Sequence, residues 1–151
     1  MRHAGWAGVF FSCVLGCAGI EDDPAPRASA LLVGDLEIHQ VNVGWGSAVL
    51  VVGPDGTTVL LEAGNTGRGT SRVVPYLQSI GVVPANGLDY TIAGHQHCDH
   101  IGGLDEVIQA GYDVGSANYY NGSAYASSCV TEWNAAAAGT TAGPPPRHSI
   151  R

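Results

Sequence analysis

A mixed α/β fold, of the α+β kind, is predicted by three features of the sequence. Short apolar runs rich in Val, Leu and Thr recur over 38–61 and 88–93, and turn residues separate them. Apolar residues then recur at helical spacing in two places, Val73, Val74, Leu77 and Ile80, and later Leu104, Val107 and Ile108. Between the last strand-like run and the second helix-like run lies a dense polar loop. Open α/β sheets usually place their sites at such a position, where the carboxyl end of a strand meets the start of a helix.

Ile38, Val41 and Val43 define the first strand. Ala48 to Val52 is apolar throughout and reads as a second strand buried on both faces. Pro54-Asp55-Gly56 is a turn between two apolar runs, so Thr57 to Leu61 returns as the third strand. Gly64 to Gly69 is too irregular for a phosphate-binding loop and reads as a plain flexible connection. Ser71 is placed to cap the first helix and Gly81 to stop it, with Pro75 disturbing its first turn. Leu88 to Ala93 is a β-branched and aromatic strand between Gly87 and Gly94. Asp105 and Glu106 fall in the first turn of the second helix, where the helix dipole favours acids, and Gly111 ends it.

The polar loop is His95-Gln96-His97-Cys98-Asp99-His100, followed by Ile101-Gly102-Gly103. Three of the six histidines of the chain lie in this hexapeptide, so chance scatter is a poor account of it. Imidazole nitrogen and carboxylate oxygen are good zinc ligands. In extended backbone, residues two apart point the same way, so His95 and His97 can grip one ion. A tightening at Asp99-His100 turns those side chains toward a neighbouring position. The spacing therefore suggests two adjacent metal sites rather than one, built from His95, His97, Asp99 and His100 and holding one or two zinc ions or other divalent metals.

His-x-His-x-Asp-His followed by Gly-Gly resembles the signature of the metallo-β-lactamase fold superfamily. Upstream, Ile38 to Ala48 and Leu60-Leu61-Glu62-Ala63-Gly64 resemble the opening strand, Gly turn and Asp-Ala-Gly segment of its branch related to the competence protein ComEC. The likeness covers about residues 36 to 109. It implies the N-terminal half of an αβ/βα sandwich, with Asp99 both a ligand and the group that orients an attacking water. Two departures stand out. Glu62 replaces the family's supporting Asp, and Asn42 replaces an Asp of the first turn. Both positions are expected to act behind the ligands, where losses weaken metal affinity by about 10- to 100-fold. The superfamily takes further ligands from its second half. Asp113 lies too close to the motif to be one, and His148 follows three prolines in a tail. The chain is therefore expected to be a truncated form.

Arg2 and His3 precede an apolar stretch from Ala4 to Gly16. It falls short of the about 20 residues that span a bilayer and has the proportions of a secretory signal. Val14-Leu15-Gly16-Cys17 resembles a bacterial lipoprotein box, which implies lipid attachment at Cys17 and an exported, membrane-anchored or secreted protein. The domain plan is a signal over 1–17, a linker over 18–35, the metallo-β-lactamase-like domain over 36–138 and a flexible tail over 139–151. Cys98 reads as a small buried residue, and no disulfide framework is implied, though a single bridge stays open.

The net charge of −7, with Arg as the sole basic residue type, disfavours broad electrostatic capture of nucleic acid. It leaves a small-molecule ester or phosphodiester open as substrate, because zinc supplies local positive charge. The functional expectation is a zinc-dependent hydrolase. The alternative is a non-catalytic metal-binding or surface interaction lipoprotein derived from the same fold. A half-sandwich also leaves one apolar sheet face bare, which predicts self-association.

Overall fold

The computed structural model describes residues 34–121 and 125–145. Cys17, the apolar stretch before it and His148 lie outside the described residues. Five strands form one mixed sheet in chain order. They are β1 (Glu37–Gln40), β2 (Val49–Val52), β3 (Thr58–Leu61), β4 (Leu88–Ala93) and β5 (Val114–Tyr120). The first three pair antiparallel, and β3, β4 and β5 pair parallel. Parallel neighbours need crossover connections. The β3–β4 crossover carries a π-helical turn, Gly69–Val73, and α1 (Val74–Ser79). The β4–β5 crossover carries α2 (Cys98–Ile101) and α3 (Leu104–Gln109). Helix α4 (Ser128–Ala137) follows β5.

The mixed α/β class holds. Several elements match the sequence reading and several differ. The Pro54-Asp55-Gly56 turn joins β2 to β3, with Gly56 at φ 86° and the Asp55 carboxylate accepting the Thr57 N–H at 3.0 Å. Strand β1 stops at Gln40, so Val41 and Val43 are buried in the loop beyond it rather than in a strand. Strand β2 is not buried on both faces. Leu50 and Val52 are buried while Val49 and Val51 are half-exposed. The reason is that every helix side chain in the core meets the same sheet face.

That covered face carries Leu50, Val52 and Leu60, which join Leu77, Ile101, Leu104, Val107, Tyr112 and Trp133 in one core cluster. His39 is on it too, and its Nδ1 lies 2.9 Å from the Tyr76 hydroxyl of α1. The opposite face presents Ile38, Gln40, Val49, Val51, Val59, Leu61, Tyr90, Ile92, Ala117 and Tyr119, all exposed or half-exposed and none charged. Tyr90 and Tyr119 stack there with centroids 6.4 Å apart.

Ser71 does not cap α1. It sits inside the π-helical turn, and its hydroxyl donates to the Gly67 carbonyl. Pro75 lies in the first turn of α1, where its missing N–H costs nothing, and the wider turn before it absorbs the junction. The Gly64–Gly69 connection is not loose. The Glu106 side chain of α3 accepts from Gly67 N–H, Thr70 N–H and the Thr70 hydroxyl. Residues 139–145 are likewise fastened rather than free. The Ala142 N–H bonds Val114 O at 2.8 Å, and Asn118 Nδ2 donates to Gly143 O at 2.8 Å. This segment covers the outer edge of β5, which blunts an otherwise unpaired strand. β5 itself carries Gly, Ser and Asn and offers little strand signal in the sequence.

Candidate metal centre

The hexapeptide leaves the carboxyl end of β4 at Ala93 and enters α2 at Cys98. Its first half is not the extended run expected: the chain bends at Gly94, His95 and His97 as it leaves the strand for the helix, and burial still alternates along it. Gln96 points inward and is 6% exposed, while His95 and His97 are exposed on the other side with ring centroids 4.1 Å apart. Helix α2 then turns Asp99 and His100 back toward them. The His100 ring lies 4.9 Å from that of His95, and its Nε2 lies 3.7 Å from Asp99 Oδ2. The four predicted ligands therefore gather in one cluster. Two separate metal positions are not distinguished, and among the described residues no three His, Cys, Asp or Glu side chains converge into a ready cage.

The supports beneath the cluster come from the loops after β1 and β3. Glu62 Oε2 lies 2.7 Å from His100 Nδ1. A carboxylate only accepts, so Nδ1 donates to Glu62 and Nε2 is the nitrogen turned to the Asp99 side. This carboxylate–imidazole arrangement is how metal-bound histidines are commonly held. The Glu62 carboxylate thus sits directly behind the His100 ring. Reaching it requires an unusual backbone. Glu62 has φ 60°, and it is the one positive-φ residue other than glycine among those described. Such a conformation costs about 1 kcal/mol or more and persists only where its surroundings enforce it. Here Glu62 N–H bonds Ile92 O at 2.9 Å, and the next N–H, of Ala63, bonds His100 O at 2.8 Å. Gly94 leaves room for the carboxylate, since a Cβ there would meet Glu62 Oε1 at 3.0 Å.

Asp99 has a partner that the sequence reading missed. The exposed Trp45 donates its indole N–H to Asp99 Oδ2 at 3.0 Å. Gly46 brings that loop onto the motif, because a Cβ there would lie 1.7 Å from the Asp99 carbonyl oxygen. Gly102 and Gly103 do the same on the other side, packing against Thr66 N and Ala63 O. The Gly-Gly of the signature is thus a close-approach requirement, which a sequence can announce. Asn42 does not reach the cluster. Its side chain accepts from Gly44 N–H at 3.1 Å and shapes its own loop.

Cys98 is not simply a small buried residue. It is half-buried and forms a disulfide with Cys129 in the first turn of α4. Tyr125, just before α4, lays its ring 4.6 Å from that of His97, and its N–H donates to Gln96 Oε1 at 2.9 Å. A Cys in the motif and a second one 31 residues on were the available signal.

The residues fit a zinc ion by donor chemistry: three imidazoles and a carboxylate, with the His100 ring oriented by its Nδ1 contact to Glu62. Neither family models nor the sequences of characterised proteins match this chain.

Proposed function

We propose that the protein is a zinc-dependent hydrolase of the metallo-β-lactamase type, acting on an ester or phosphodiester. The observation that carries this reading is the Glu62–His100 contact at 2.7 Å, which turns His100 Nε2 toward Asp99 in a cluster with His95 and His97. A carboxylate behind an imidazole that sits among three other donors matches the way metal-bound histidines are supported. His95, His97, Asp99 and His100 would hold the metal. When bound, zinc supplies Lewis acidity and a nucleophile at neutral pH. Glu62 keeps the His100 ring oriented, and the Trp45 N–H restrains one Asp99 oxygen, leaving the other to orient water.

The open sheet face supports self-association as a further part of this reading. The disulfide supports export, because such bonds persist in oxidising compartments. Lipid attachment at Cys17 belongs to the same proposal. A non-catalytic metal-binding or surface interaction lipoprotein is the competing reading, and its interaction form is favoured by the uncharged open sheet face.

The test is metal content of the purified full chain together with hydrolysis of bis(4-nitrophenyl) phosphate. Wild type is expected to retain zinc through gel filtration and to hydrolyse the ester, and His97→Ala to do neither. Equal zinc in both proteins overturns the metal reading, whereas zinc without turnover favours the binding protein.

A further inference from the structure

We infer that the Cys98–Cys129 disulfide is a positioning crosslink for the metal motif, so that His97 is held in place only in the oxidised chain. This rests on the reading of the histidine cluster as a metal centre. Cys98 lies between two of the proposed ligands, His97 and Asp99. Its bond reaches Cys129, which is 2% exposed in α4, with the two Cα atoms 5.5 Å apart. The crosslink thereby fixes the start of α4 against the motif, and the segment leading into α4 supplies the wall on which His97 rests. That wall is the Tyr125 ring, 4.6 Å from the His97 ring.

His97 has little else. Among the described residues its ring contacts are with His95 and Tyr125, and neither His95 nor His97 is hydrogen-bonded to another side chain. His100 differs, because the Glu62 carboxylate grips it from the sheet. Loss of the crosslink should therefore loosen one end of the motif and spare the other.

The bond is open to attack from one side. Cys98 is half-buried and Cys129 fully buried, so a dithiol reductant meets the Cys98 sulfur first. Its thiolate bonds to Cys98 Sγ, the S–S bond breaks, and Cys129 leaves as a thiolate that takes up a proton. The second thiol of the reductant then displaces Cys98, which also takes a proton. Two electrons pass from the dithiol, which ends as a disulfide. The metal centre is assembled in an oxidising compartment and slackens in a reducing one.

The experiment compares the oxidised full chain with the Cys98→Ser/Cys129→Ser variant, which carries no thiol of this pair to bind metal itself. Imidazole NMR signals are recorded without zinc, and zinc affinity is measured by competition with a chromogenic chelator. The His39 signal, from a ring on the sheet's covered face, reports that the fold is intact. The variant is expected to broaden or shift His97, leave His39 and His100 unchanged, and bind zinc about 10-fold or more weakly. A phosphine-reduced wild type should show the same His97 change. An unchanged His97 signal with unchanged zinc affinity overturns the inference. If the oxidised chain takes up no zinc at all, the metal reading falls instead, and the His97 signal alone decides whether the crosslink positions the ring.

Discussion

The two ends of the ligand motif are built on different physics. His95 and His97 stand on a bent connection between β4 and α2, exposed, with neighbouring rings as their contacts. Asp99 and His100 stand on the first turn of α2, half-buried, each held by a hydrogen bond from a distant loop. A bent connection places the first pair and helix geometry the second, but only the second is locked. An ion that meets this cluster finds half of its ligands preorganised and must order the other half. Immobilising a side chain costs about 0.5–1.5 kcal/mol, which discounts each loose ligand by up to about 10-fold in affinity.

The largest effect expected from this contrast is at His100. The His100→Ala change should weaken zinc by more than about 100-fold, beyond what loss of a supporting group causes. The His95→Ala change should cost closer to 10-fold, because the entropy of ordering that ring is no longer spent. Isothermal titration of both variants breaks the comparison if His95→Ala proves the worse. Next comes Glu62→Ala, which removes the grip on His100 but no ligand; a loss of about 10- to 100-fold is expected. Trp45→Phe keeps the ring and removes the N–H to Asp99. It should cost no more than about 10-fold, since the bond is exposed to water and worth at most about 1.5 kcal/mol there. Wild-type affinity in that variant would show that Asp99 needs no such restraint.

The smallest effect lies far from the motif and serves as a control. Thr141 donates through both its N–H and its hydroxyl to Asp113, and these bonds hold the carboxyl below its ordinary value. A depressed carboxylate stabilises the fold above its unfolded-state pKa, and that contribution is lost as pH falls through the folded-state value. Thr141→Val should therefore lower the melting temperature slightly near neutrality and converge with wild type in acid below about pH 4. Zinc affinity near neutrality should not change. A zinc effect would mean that the ends of the motif are coupled through the whole sheet.

Strand β4, the Pro54-Asp55-Gly56 hairpin and the gathering of His95, His97, Asp99 and His100 were legible because each is specified locally, by strand-forming residues, by a turn-forming triplet and by density of polar residues. The Glu62 support was legible only as a substitution, since its reach depends on a backbone conformation no propensity suggests. What stayed hidden is non-local. Trp45 meets Asp99 across 54 positions of chain, and Cys98 meets Cys129 across 31. Strand β5 was hidden for another reason. Its Gly115, Ser116 and Asn118 are weak strand formers, and β4 on one side and residues 140–143 on the other hold it in the sheet. The half-exposed Val49 and Val51 show the converse error, because a wholly apolar run cannot say that only one face is covered.

Glu62 also sets stability against chemistry at a single position. Its left-handed backbone is one that glycine adopts without penalty and alanine does not. Glu62→Gly and Glu62→Ala delete the same carboxylate, yet the glycine variant should be the more stable by about 1 kcal/mol. It should melt above the alanine variant and may be compared directly with wild type, while both lose zinc alike. If the melting temperatures coincide, the conformation carries no strain. A sequence selected only to fold would place glycine there; glutamate at that position is a trade of durability for a correctly aimed imidazole.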